Sequence, residues 1–199
     1  YKKYLKSKKI LNNSIQKSIT QKINTKIDSS FEFALNAAKP QSNETKEKND
    51  IYKQYKFQHV QTNNKGKEQR YIDAISDSLR MNMQKNDKTI IMGQDISEYG
   101  GVFKITKNFL EEFGPDRIRN TPIIESGILG TSVGLALEGF QPIVEMQFAD
   151  FVSSGFNPVV NYLAKSHYRW GQAADVVIRM PCGAGVAAGP FHSQTNEAW

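Results

Sequence analysis

Two residues able to move protons stand out by their settings. Glu125 lies in "TPIIESGILG", between an apolar run and a helix start rich in small residues, and His192 lies in the polar loop "PFHSQ". Burying an ionised carboxylate without a partner costs several kcal/mol, so Glu125 either faces water or is held for a purpose. At the first turn of a helix the dipole favours a carboxylate, and that alone could account for it. The apolar "TPII" before it and Gly127, Gly130 and Gly134 after it argue as strongly for a ligand or partner chain at close approach, and the pattern leaves the two readings even. An imidazole in a loop such as that of His192 can reach a ligand and exchange protons, although a loop histidine bonding only backbone has the same spacing. His59, in an irregular connection, and His167, beside Tyr168 and Arg169, read as structural. No two histidines, and no histidine with Cys182, have the spacing of metal ligands.

The run "CGAGVAAGPFHSQ" places Gly183, Gly185 and Ala188 in the G-x-G-x-x-A pattern that binds dinucleotides when it follows a strand and opens a helix. Gly189 and Pro190 interrupt that helix, and no acidic residue ending a further strand follows within the chain. A glycine loop carrying His192 over a pocket is the better reading.

The elements that must position these groups are legible from residue 71 onward. Ile72, Ile75, Leu79 and Met83 share one face of a helix from Tyr71 to about Lys85. "TIIMG", "QPIVEMQF" and "ADVVIRM" read as strands, "ITKNFLEEFG" as a short helix ended by Gly114 and Pro115, and "ESGILGTSVGLALEG" as a helix opened by Glu125. "ADFVSSGFNPVVNYLAKSHYRWG" reads as mostly helical with an interruption at Pro158. Strands alternating with helices predict an α/β fold, a three-layer sandwich on a mainly parallel sheet, with three strands and right-handed crossovers. Ligands of such sheets bind beyond the carboxyl ends of the strands.

The front of the chain differs in kind. Residues 1–70 carry 16 Lys and Arg against 6 Asp and Glu, whereas residues 71–199 carry 10 against 14, so the net charge of +6 belongs to the front. No arginine-rich run or aromatic stacking face accompanies that charge, which argues against nucleic acid and for a solvated lysine-rich arm. Ile15, Ile19, Ile23, Ile27 and Phe31 recur every four residues and predict an amphipathic helix that runs out near Ala38. "PQSNETKEKND" has no apolar residue and reads as linker, and 51–70 as an irregular connection. One cysteine excludes an internal disulfide framework. No apolar stretch approaches the roughly 20 residues of a membrane helix.

The motifs "GQDISEYGGVFKIT", "RNTPIIESG", "VEMQFADF" and "PFHSQTNEAW", in this order, resemble the beta part of the thiamin-diphosphate-dependent decarboxylating component of 2-oxo acid dehydrogenase complexes. The likeness runs from about Tyr71 to Trp199 and covers the transketolase-like pyrimidine-binding domain. "KYLKSKKIL", a long second helix and "FEFA" are similar, more weakly, to the tail of the alpha part. The resemblance implies a helical alpha tail over 1–38, a seam over 39–70 and a pyrimidine-binding domain over 71–199, truncated at its C-terminal side, from a fused alpha-beta enzyme.

By that resemblance, Glu125 hydrogen-bonds the cofactor's aminopyrimidine and promotes deprotonation of the thiazolium carbon. Phe151 stacks on the aminopyrimidine, Gln147 lines the pocket, and His192 assists proton handling and acyl transfer to lipoyl. Mg2+ is expected on the alpha part, through a Gly-Asp-Gly motif that these 199 residues lack. The implied partners are the lipoyl-bearing acyltransferase and the alpha part or a second copy of the chain in an oligomer, with neither nucleic acid nor membrane. The implied place is bacterial cytoplasm, or the mitochondrial matrix in a eukaryote. "QFADF" is closer to branched-chain enzymes, making 3-methyl-2-oxobutanoate the expected substrate and pyruvate the alternative. Residues 1–199 alone are expected to lack decarboxylase activity. A noncatalytic module that binds nucleotide or polyanion is the rival from another class.

Overall fold

The computed structural model describes residues 1–57, 59, 61 and 66–199. Its two compact units are Tyr1–Asn43 and Glu44–Trp199. The first holds α1 (Lys2–Ser7) and α2 (Asn13–Asn36). Asn12 caps α2, its side-chain oxygen accepting from the Ile15 N–H at 2.8 Å. This satisfies one of the donors that the first helical turn leaves free. The stripe from Ile15 to Phe31 forms as the four-residue spacing predicts, and all five of its side chains are exposed.

In the second unit, α3 (Glu44–Ile51) stands where the sequence predicts unstructured linker, while 58, 60 and 62–65 of the expected connection lie outside the described residues. Polar contacts dock α3 on α7 (Ser166–Trp170), which is why a segment almost without apolar residues gave no signal. The Tyr168 hydroxyl donates to Glu47 Oε2 at 3.3 Å, and His167 Nδ1 lies 3.3 Å from the Asp50 carbonyl oxygen. His167 is thus structural, as its sequence setting suggests.

The remaining elements alternate. In chain order they are α4 (Tyr71–Lys85), β1 (Thr89–Gly93), α5 (Phe109–Phe113), β2 (Ile118–Asn120), α6 (Glu125–Leu137), β3 (Gln141–Glu145), α7, β4 (Val177–Arg179) and α8 (Gly189–His192). The sheet runs β2-β1-β3-β4 and every pairing is parallel. The four strands correct the three read from sequence. β2 escaped because "IRN" is three residues long and buries only Ile118, too little for a strand pattern. From Ala149 to Leu163 the chain forms a 3-10 segment and then a π-helical turn opening at Pro158, so the predicted helix is broken where proline cannot donate its amide.

Every residue of β1 is buried, as a central parallel strand covered on both faces requires. The two-residue alternation sends Ile91 into one core with Leu79, Met83, Phe109 and Ile118, and Met92 into another with Ile128, Leu129, Val144 and Val152. α4 and α5 cover the first face and α6 the second, which makes the expected three layers. Arg117 staples the first: its guanidinium donates to the carbonyls of Met83, Asn86 and Thr89 at 2.7, 2.8 and 3.0 Å.

Candidate functional site

The carboxyl ends of all four strands converge on the predicted residues. β2 leads through Thr121 into Glu125, the first residue of α6. β1 leads into Gln94, β3 into Gln147, Asp150 and Phe151, and β4 into the glycine loop that ends in His192. This is where a parallel sheet leaves backbone termini and loop side chains free for a ligand.

Glu125 is half-buried in the first turn of α6, and the Gln94 amide donates to its Oε1 at 3.2 Å. Gln94 is itself buried, so this amide holds the carboxylate from beneath. Ile123 and Ile124, immediately before it, are 83% and 51% exposed. A held carboxylate beside uncovered apolar side chains suits a partner that offers both a polar group and an apolar surface. The nearby Thr121 Oγ1 is buried without a hydrogen-bond partner, a polar atom the protein leaves unspent.

Gly155 sets how closely the 3-10 segment Ala149–Gly155 approaches α6. A Cβ there would lie 2.6 Å from Leu129 Cδ1 and 3.4 Å from the Glu125 carbonyl carbon. Leu129 is fully buried, so a larger residue at 155 would force it to repack for the segment bearing Phe151 to keep its approach to α6.

At the other end of that segment His192 sits among three side chains. Its ring stacks on Phe148 with centroids 4.4 Å apart and planes 14° apart, and meets Phe151 edge-on at 5.1 Å. Its Nδ1 lies 3.1 Å from each carboxylate oxygen of Asp150. The structure therefore brings Phe151 and His192 into contact and places Glu125 against the same segment through Gly155, while Gln147 is a half-buried residue two positions before that segment.

Beneath these loops Glu145, 2% exposed at the end of β3, pairs with Arg179 at the end of β4. Arg179 Nε donates to Glu145 Oε2 at 3.0 Å, Nη2 donates to the same oxygen, and the Val102 N–H donates to Oε1 at 3.2 Å. Gly101 makes room: its φ is +71°, and a Cβ would lie 2.9 Å from Thr106 Oγ1 and 3.1 Å from Glu145 Oε1. Met146 N–H donates to the Arg179 carbonyl and Ala149 N–H to the Pro181 carbonyl, both at 3.0 Å. These bonds tie the exits of β1, β3 and β4 together. A buried ion pair is retained at net cost unless fully hydrogen-bonded, and this one is placed where three loops must keep register.

Sequence reasoning passed over Gln94, Asp150, Glu145 and Arg179. Each acts through a partner at least 31 positions away, which no local spacing reveals. The glycine loop does not build a dinucleotide site: Ala184–Val186 is a 3-10 turn and α8 has four residues, leaving no helix for a pyrophosphate. Among the described residues no cluster of three His, Cys, Asp or Glu could hold a metal ion, and no helix is long and apolar enough to cross a membrane.

Residues 67–199 match the family model described as transketolase, pyrimidine binding domain. The chain is 40% identical over 130 residues to the 2-oxoisovalerate dehydrogenase subunit beta of Bacillus subtilis, covering 64% of this chain and 40% of that protein. It is 43% identical over 130 residues to the mitochondrial 2-oxoisovalerate dehydrogenase subunit beta of Chaetomium thermophilum, covering 63% and 27%. It is 39% identical over 128 residues to the pyruvate dehydrogenase E1 component subunit beta of Staphylococcus aureus, covering 63% and 39%. The chain thus spans at most 40% of the length of these relatives.

Proposed function

Since the chain belongs to the transketolase pyrimidine-binding domain family, we propose that it forms the aminopyrimidine half of a thiamin diphosphate site. The enzyme would be the decarboxylating component of a 2-oxo acid dehydrogenase. The observation that carries this reading is Glu125, held by Gln94 at the start of α6 with uncovered Ile123 and Ile124 beside it. Bound there, thiamin diphosphate would supply an acidic thiazolium carbon and an electron sink for decarboxylation.

The chain's own contribution is orientation and proton control. Glu125 shares a proton with a ring nitrogen of the aminopyrimidine, Phe151 bounds the ring by stacking, and Gln147 lines the pocket. His192 handles protons at the reacting end and assists acyl transfer to lipoyl. The diphosphate and its Mg2+ fall to the alpha part, a reading supported by the lack of a Gly-Asp-Gly motif in these 199 residues.

The first-choice substrate is 3-methyl-2-oxobutanoate, supported by "QFADF" and by the two 2-oxoisovalerate dehydrogenase relatives. The near-equal identity to a pyruvate dehydrogenase subunit supports pyruvate as the second reading. Residues 1–38 are proposed to be the helical tail of an alpha part joined through 39–70 to the domain over 71–199. The exposed stripe of α2, from Ile15 to Phe31, supports this because it calls for a covering partner. Partners are the alpha part or a second copy, and the lipoyl-bearing acyltransferase, in cytoplasm or mitochondrial matrix.

The test is reduction of a lipoyl domain by the complete enzyme containing this chain, fed each 2-oxo acid in turn. The reading predicts turnover, faster with 3-methyl-2-oxobutanoate, and a loss of about 10²- to 10⁴-fold for Glu125→Gln. Glu125→Gln turning over at the unaltered rate would contradict it.

A further inference from the structure

We infer that Asp150 is a positioning residue that fixes the tautomer of His192, an inference resting on the proposed role of His192 in proton handling. An ionised carboxylate accepts hydrogen bonds and donates none. With Nδ1 within 3.1 Å of both Asp150 oxygens, that nitrogen must carry its proton. A neutral His192 therefore keeps its lone pair on Nε2, which is left to meet a substrate or cofactor proton.

The aromatic neighbours enforce this orientation. Phe148, stacked on the ring at 4.4 Å, and Phe151, edge-on at 5.1 Å, oppose the half-turn about the Cβ–Cγ bond that would face Cδ2 rather than Nδ1 toward Asp150. The Asp150 side chain is 13% exposed against 35% for His192, so water competes weakly for the carboxylate while the imidazole stays reachable. The Asp150 backbone is anchored too, its carbonyl accepting from the Ser153 hydroxyl at 2.9 Å. Three residues of the "QFADF" run thus act on one imidazole from β4's loop: Phe148 and Phe151 set its plane, and Asp150 sets its proton.

Asp150→Asn removes the requirement, because an amide can donate to Nδ1 as readily as accept from it. In the complete enzyme this variant is expected to lose on the order of 10²-fold in kcat while the KM for thiamin diphosphate holds within about twofold. Asp150→Glu should recover part of the loss. Nitrogen-15 NMR of histidine-labelled wild-type protein is expected to find neutral His192 protonated on Nδ1, a readout independent of how any variant folds. Predominant protonation on Nε2, or an Asp150→Asn enzyme with unaltered kcat beside a crippled His192→Gln enzyme, overturns the role of Asp150 alone. A His192→Gln enzyme with normal kcat overturns the reading of His192 itself, and this inference with it.

Discussion

Glu145 is the residue that ties the exits of β3 and β4 to the loop after β1. Its carboxylate is closed in by Arg179 and the Val102 amide, so a truncated side chain leaves a guanidinium that is only 16% exposed without its counter-charge. Glu145→Ala should cost about 3–5 kcal/mol, read from urea unfolding of the chain. Glu145→Gln, which keeps an acceptor in place, should cost clearly less. Equal losses in the two variants would mean that packing, not charge, is what Glu145 provides. Glu125 and His192 could be singled out as candidates in the sequence from a carboxylate at a helix start and an imidazole in a polar loop, settings that a purely structural role also explains. Asp150 could not, since its meaning lies in a histidine 42 positions away.

Among the elements, α5 adds polar contacts at its rim to the apolar packing of Phe109 against α4. Glu112 Oε2 accepts from Arg80 Nε of α4 at 2.7 Å and Oε1 from Gln84 at 2.8 Å. The Arg80 hydrogen bond, against a smaller opposing effect of burial and with help from Gln84, holds the Glu112 carboxyl below its ordinary value of 4.5. A lowered folded value stabilises the fold above the unfolded value, and that share is lost as pH falls from about 4.5 through the folded value. Both side chains are about a third exposed, so the share is limited to about 1 kcal/mol or less. Acid titration of thermal stability should show a shallower acid limb for Glu112→Gln than for the parent. An identical limb would remove α5 docking from the pH dependence. The longer helices and the buried strands β1 and β3 were readable because periodicity and apolar runs mark them. β2 and α3 were not, because one is anchored by a single buried isoleucine and the other by side-chain polar contacts.

For the whole molecule, the proposed function makes this chain half of a composite site. The four strand exits carry a carboxylate, aromatic rings and an imidazole. Calorimetric titration of thiamin diphosphate with Mg2+ into residues 1–199 alone should therefore give only feeble binding. Micromolar affinity would show that the chain grips the diphosphate by itself. In the proposed function Glu125 activates the thiazolium carbon through the aminopyrimidine. The most direct measurement is hydrogen–deuterium exchange at that carbon in the complete enzyme, with and without Glu125→Gln. The account predicts exchange slowed by about 10²-fold or more in the variant with the fold intact. Exchange at the parent rate would contradict it.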